Sequence, residues 1–138
     1  MHTSVTFHQA MPLVGMGKDG HETLFDTSPE FHGTGSASSP MEVVLQSLAA
    51  CSMMDIISIL KKKRRDVVFL AAEVDAERAE DHPKVFTAIT IRYRLESPDC
   101  PLADFERAVS LSMEKYCSVS AMLRAAGCGI EWETEQIH

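Results

Sequence analysis

The chain is short of cations. Thirteen lysines and arginines stand against twenty acidic residues in 138, a formal net charge of −7 with histidine neutral, and that balance argues against phosphate backbones, so no nucleic-acid partner is expected. Paired-cysteine spacing is missing too. Cys51, Cys100, Cys117 and Cys128 form no CxxC or zinc-ribbon pattern, which leaves a structural metal site without support. In a reducing compartment they are expected as free thiols, any disulfide being transient and functional. Internal repeats and long linkers are absent, so one domain is expected over residues 1–138. A chain that is 45% hydrophobic can bury a core at this length without disulfides. No secretory signal is read at the N-terminus, which is polar and patterned like a strand; the cytoplasm is the expected compartment.

What is present is organised around Ser39 to Arg65, SPMEVVLQSLAACSMMDIISILKKKRR. Pro40 suits a first helical position, and Ser39 with Glu42 makes a capping box. Between Val43 and Leu60 apolar residues fall on every face (Val44, Leu45, Leu48, Met53, Ile56, Ile57 among them), which predicts a helix buried nearly all round. Lys61 to Arg65 then put cations at the carboxyl end, complementing the helix dipole where the chain reaches water. A helix of roughly 24 residues runs roughly 36 Å, longer than a small domain is thick, so cover from a second chain is expected. The run also has the length of a membrane span, but Gln46, Asp55 and its serines would be costly in hydrocarbon, and no membrane partner is expected. Ser47, Cys51, Asp55 and Ser58 share one face of the helix.

Before this helix, VTF, PLVGM and HETLF read as strands of a small antiparallel sheet, with Lys18-Asp19-Gly20 as a hairpin turn. Residues 27–39, rich in Gly and Ser, predict a mobile loop. Gly33-Thr34-Gly35-Ser36 faintly resembles a phosphate cradle, but no βαβ pattern precedes it. After the helix, Val67–Ala79 and Val85–Leu95 alternate as a long hairpin turning at Asp81–Lys84. Pairing Val74 with Ile91 and Glu73 with Arg92 matches both faces in one register. Leu102, Phe105, Val109, Met113 and Tyr116 recur at helical spacing, Ser118–Ala126 continues as a short helix ended by Gly127, and Gly129–Glu135 alternates as a last strand. The sum is an α+β fold of antiparallel sheets around a long helix.

Among the cysteines, Cys51 lies in mid-helix, where it reads either as a small buried apolar residue or as a reactive thiol. Cys117 lies where two helices join, and free amides of the shorter helix could lower its pKa. Cys100 and Cys128 flank turns and read as structural.

The pieces SPMEVVLQSLAACSMMDIISIL and EKYCSVSAML, separated by a long hairpin, resemble the OsmC/Ohr family of osmotically inducible and organic hydroperoxide resistance proteins. AACSMMD is similar to the signature of its YhfA-like branch. The order of predicted elements agrees from residue 4 to 135. This resemblance implies an intertwined homodimer covering each central helix, and thiol peroxidase chemistry without metal or organic cofactor. Cys51 would be the peroxidatic cysteine attacking a hydroperoxide substrate, and Cys117 the resolving one, their disulfide being reduced by a cellular dithiol. The family's thiolate-holding arginine has no counterpart, since no arginine precedes Arg64. Lys18, His21 or His32 would have to substitute, without the planar guanidinium fork. Glu42 falls one place from the family's arginine-orienting glutamate, and Asp55, one turn after Cys51, would if ionised oppose its thiolate. Two rival readings stay open: a non-catalytic dimer binding a small molecule, and a redox sensor docking acidic surfaces through residues 61–65.

Overall fold

The computed structural model describes all 138 residues, which divide into two compact units, Met1–Leu45 and Gln46–His138. In the first unit, β1 (Thr3–His8), β2 (Ala10–Gly17) and β3 (Glu22–Phe25) pair antiparallel in that order. The β2–β3 turn falls at Lys18–Gly20, where Gly20 takes a φ of +82° that a side chain would resist. The sheet is the one expected from the alternating pattern.

The loop after it differs from expectation. Instead of a mobile stretch it is folded onto the buried carboxylate of Asp26. That group accepts from the amide of Thr27 (2.7 Å) and from the amides and hydroxyls of Thr34 (3.1 and 2.6 Å) and Ser36 (3.0 and 2.5 Å). Gly33 packs so closely that an added Cβ would lie 2.0 Å from the Thr27 carbonyl oxygen. The Gly-Thr-Gly-Ser segment therefore does cradle an anion, its own aspartate. The hydroxyl of Ser36 first, then that of Thr34, holds the Asp26 carboxyl far below the ordinary carboxylate range.

The long helix α1 spans Pro40–Lys62 and opens on the predicted capping box, with the Ser39 amide donating to Glu42 (3.0 Å) and the Glu42 amide to the Ser39 hydroxyl (3.3 Å). Its length and hydropathy would suffice to cross a membrane. All-round burial is not what the protomer shows: its buried residues are Leu48, Ala49, Ser52, Ile56 and Leu60, a stripe repeating every three or four positions, while Met54 is 70% exposed. Of the basic run that follows, Lys63 and Arg65 are not simply solvated. Both pair with Asp104, at 2.8 and 3.0 Å.

In the second unit, β4 (Phe69–Arg78) and β5 (Phe86–Glu96) form the long hairpin, with Val74 opposite Ile91 and Glu73 opposite Arg92 as predicted. One face carries Arg92 and Arg94 among Glu73, Glu133 and Glu135; the other buries Ile89, Ile91, Tyr93 and Leu95. The last strand, β6 (Gly129–Gln136), pairs parallel to β5, so this sheet is mixed and not antiparallel throughout. The reason lies in the connection. The chain leaves β5, passes through α2 (Leu102–Leu111), a π-helical turn (Ser112–Tyr116) and α3 (Ser118–Ala125), and re-enters beside the start of β5, a crossover that sets strands parallel. Leu48, Ile56, Leu60, Phe105, Val109 and Met113 complete the core, each such side chain contributing about 1.5–3 kcal/mol of apolar burial. The extra residue in the π turn rotates the helical stripe, so Tyr116, expected on the apolar face with Met113, is 51% exposed.

A thiol pair as candidate functional site

Cys51 sits on α1 one position before the buried Ser52, which leaves it half-buried at the edge of the packed stripe. Cys117 follows the π turn as the N-cap of α3, and only 2% of it is exposed. The two side chains lie near enough for Cys51 to act on the titration of Cys117, and both are free thiols. Residues far apart in the sequence are thus brought together by the packing of α1 against the α2–α3 joint.

The cap position gives Cys117 the amide of Ser120, 3.4 Å from its Sγ. That amide favours the thiolate, as the sequence suggested, but burial outweighs it. Desolvation, with a smaller contribution from the neighbouring Cys51, pushes the Cys117 thiol up to about 11. The lowered pKa expected from a helix start is therefore corrected: the same packing that delivers the amide removes the water.

A polar cluster supports the pair from below. Ser52 Oγ donates to the Ala49 carbonyl (2.9 Å) and lies 2.6 Å from the Tyr93 hydroxyl, which in turn lies 3.4 Å from Met113 Sδ. Burial pushes Tyr93 up to about 12; its bond to Ser52 lowers it, and Cys117, Asp55 and Cys51 add to the rise. Tyr93 is therefore a neutral hydroxyl at any ordinary pH. On the other side the Ser112 hydroxyl donates to Asp55 Oδ2 (2.8 Å) and lies 3.2 Å from the Ser52 carbonyl oxygen. Asp55 thus joins the site through Ser112, and it also lines an open groove of about 370 Å³ with Ser58, Ile59, Lys62, Leu111 and Tyr116.

The joint itself is clamped by Arg124. Its guanidinium donates through Nε and Nη2 to Ser120 Oγ (3.2 and 2.9 Å) and through Nη2 to the Met113 carbonyl, and it stands over the Trp132 ring, 6.0 Å from the centroid.

Of the residues singled out in the sequence, Cys51, Cys117 and Asp55 meet. Glu42 is engaged in its capping box in the first unit, where the Ser39 amide, then the Ser39 hydroxyl, hold its carboxyl below the usual range. Lys18 and His21 are exposed at the β2–β3 turn, and His32 is exposed on the loop at a φ of 67°. Sequence reasoning passed over Ser52, Tyr93, Ser112, Ser120 and Arg124. Ser52 carried a signal, being a polar residue in register with Leu48, Ile56 and Leu60. Tyr93 carried another, as the one polar-tipped residue on the inward face of β5. Nothing local marked Arg124.

A small antiparallel sheet, a long helix, and a mixed three-stranded sheet with helices in its crossover define an α+β protein. The family of OsmC-like proteins matches residues 33–133, and the chain belongs to that family. Protein YhfA of Escherichia coli strain K12 is 38% identical over 126 residues, 91% of each chain. Among solved structures, a hypothetical protein from Aquifex aeolicus VF5 is 30% identical and superposes with a TM-score of 0.80, covering 99% of this chain and 97% of the other. An organic hydroperoxide resistance protein from Legionella pneumophila is 15% identical with a TM-score of 0.64, covering 100% and 98%, a likeness of fold.

Proposed function

We propose that this protein is a dimeric, cytoplasmic thiol peroxidase that reduces organic hydroperoxides with Cys51 and Cys117. The observation that carries the reading is the proximity of two free thiols, Cys51 on α1 and Cys117 at the start of α3, with Cys51 close enough to influence the titration of Cys117. The fold shared with a hydroperoxide resistance protein supports it. Cys51 is the more exposed of the pair and meets the peroxide first. Its thiolate attacks the distal oxygen, the O–O bond breaks, and the alcohol leaves with a proton, so the sulfur is left as a sulfenic acid. The Cys117 sulfur then attacks Cys51, the S–S bond forms, and the sulfenic oxygen departs as water. A cellular dithiol returns two electrons and two protons.

Because burial keeps Cys117 protonated, closure of the disulfide is the slow step at neutral pH, and its rate should rise about tenfold per pH unit in that range. Rapid mixing with cumene hydroperoxide, followed by quenched mass spectrometry, tests this. The expected product is an intramolecular Cys51–Cys117 disulfide, and Cys51→Ser abolishes turnover. Slow oxidation indifferent to Cys51→Ser would defeat the proposal.

One observation favours a second reading. The groove beside Asp55 has an apolar floor of Ile59, Leu111 and Tyr116, which suits a small amphipathic ligand in a protein whose thiols do not turn over. Native mass spectrometry that recovers a bound small molecule from a peroxide-inert protein would select it.

A further inference from the structure

Between α2 and α3 the backbone ladder is interrupted. The Cys117 amide donates to the Ser112 carbonyl (2.7 Å), five residues back, so the Met113 carbonyl loses the partner an α-helix would have given it. Arg124 and the Ser120 hydroxyl fill that place, the latter at 3.4 Å. Arg124 also holds Ser120 Oγ, and it is the amide of this same Ser120 that reaches Cys117 Sγ. One guanidinium therefore grips the chain before Cys117, at Met113, and after it, at Ser120. The Ser120 side chain is fully buried, and Trp132 backs the guanidinium from β6.

We propose that Arg124 is a positioning residue of the thiol pair, clamping the joint on both sides of Cys117 so that its sulfur is held toward Cys51 and the Ser120 amide toward that sulfur. This deepens the two-thiol reading and rests on it. Arg124 has no direct bond to either sulfur and acts through Ser120. The rigid guanidinium sets Nε and Nη2 on Ser120 and Nη2 on Met113 in one fixed geometry, which an ammonium on a flexible stem would have to adopt at a greater entropic cost. Cys51 acts on Cys117, and Cys51, Cys117 and Asp55 act on Tyr93, while Lys115 and Tyr116 precede Cys117 along the chain; the side-chain hydrogen bonds of Arg124 go to Ser120 and Met113.

The test measures two steps separately in the full-length protein. After one equivalent of cumene hydroperoxide, dimedone trapping reports sulfenic acid at Cys51 and quenched mass spectrometry reports disulfide closure. In Arg124→Gln the first step is expected to keep its rate, while closure slows about tenfold, the effect of losing one charge-assisted hydrogen bond. Ser120→Ala keeps the amide but removes the hydroxyl that Arg124 holds, so it should slow closure in the same direction. Arg124→Lys should recover only part of the rate. In a Cys51→Ser background, alkylation of Cys117 followed against pH should shift its midpoint upward in both Arg124→Gln and Ser120→Ala, a change that simple loss of stability does not produce. Wild-type closure rates with an unshifted alkylation profile in Ser120→Ala would overturn the role of Arg124, whether or not Arg124→Gln folds. Absence of any Cys51–Cys117 disulfide in the wild-type protein would instead overturn the reading beneath it.

Discussion

Tyr93 illustrates how a single hydroxyl ties the core to the thiols. Tyr93→Phe keeps the ring and deletes an oxygen that touches Ser52 and Met113, so the variant should lose about 1 kcal/mol in urea unfolding. The pH dependence has a definite sign. Folding raises this tyrosine from its ordinary 10 to about 12, so its contribution is complete below about pH 10 and is lost as the pH climbs through the folded value. Unfolding free energy measured between pH 9 and 12 should fall more steeply in the wild type than in Tyr93→Phe. At this scale the sequence was partly legible. Cys51 and Cys117 stood out as residue types, and the joint at Cys117 was correctly located, but the sign of its pKa shift was not. A helix-start amide is a local feature, whereas the desolvation that overrides it comes from tertiary packing that leaves Cys117 2% exposed.

Among the elements, the loop from Asp26 to Ser39 is the one whose behaviour composition misjudged. Gly and Ser gave it a flexible look, yet those residues supply the small side chains and free amides that wrap a carboxylate. Asp26→Asn puts an NH₂ among donors, and faster hydrogen exchange at the Thr34 and Ser36 amides, with a lower thermal midpoint, is the expected outcome. Since folding lowers the Asp26 pKa, its stabilisation is present above the unfolded carboxylate value of about 3.9 and is lost as the pH falls toward the folded value. The wild-type melting temperature should therefore drop on acidification below about pH 4 more than that of Asp26→Asn. The register of the hairpin β4–β5 was read correctly at Val74–Ile91 and Glu73–Arg92, because two alternating faces with matched charges admit one register. Strand β6 was found but its direction was not, because direction depends on where the crossover returns the chain, which no pattern within Gly129–Gln136 records.

For the whole molecule, α1 poses the outstanding question of cover. Its sequence is apolar on every side, while a single protomer buries one stripe and leaves Met54 70% exposed. A homodimer sealing that face is the proposed answer. Met54→Glu should then give a monomer by analytical ultracentrifugation where the unsubstituted protein sediments as a dimer; a monomeric wild type would remove the dimer from the proposal. The sequence by itself determined the helices, the strands, the capping box and the hairpin register, since each follows from spacings and turn residues within a few positions of one another. Only the tertiary structure decided that Cys51 and Cys117 come near one another, that Ser52 bonds Tyr93 and Ser112 bonds Asp55, and that Arg124 grips both Met113 and Ser120. Those outcomes depend on which faces of distant segments meet, and contact between residues on different elements is written in no single stretch of the chain.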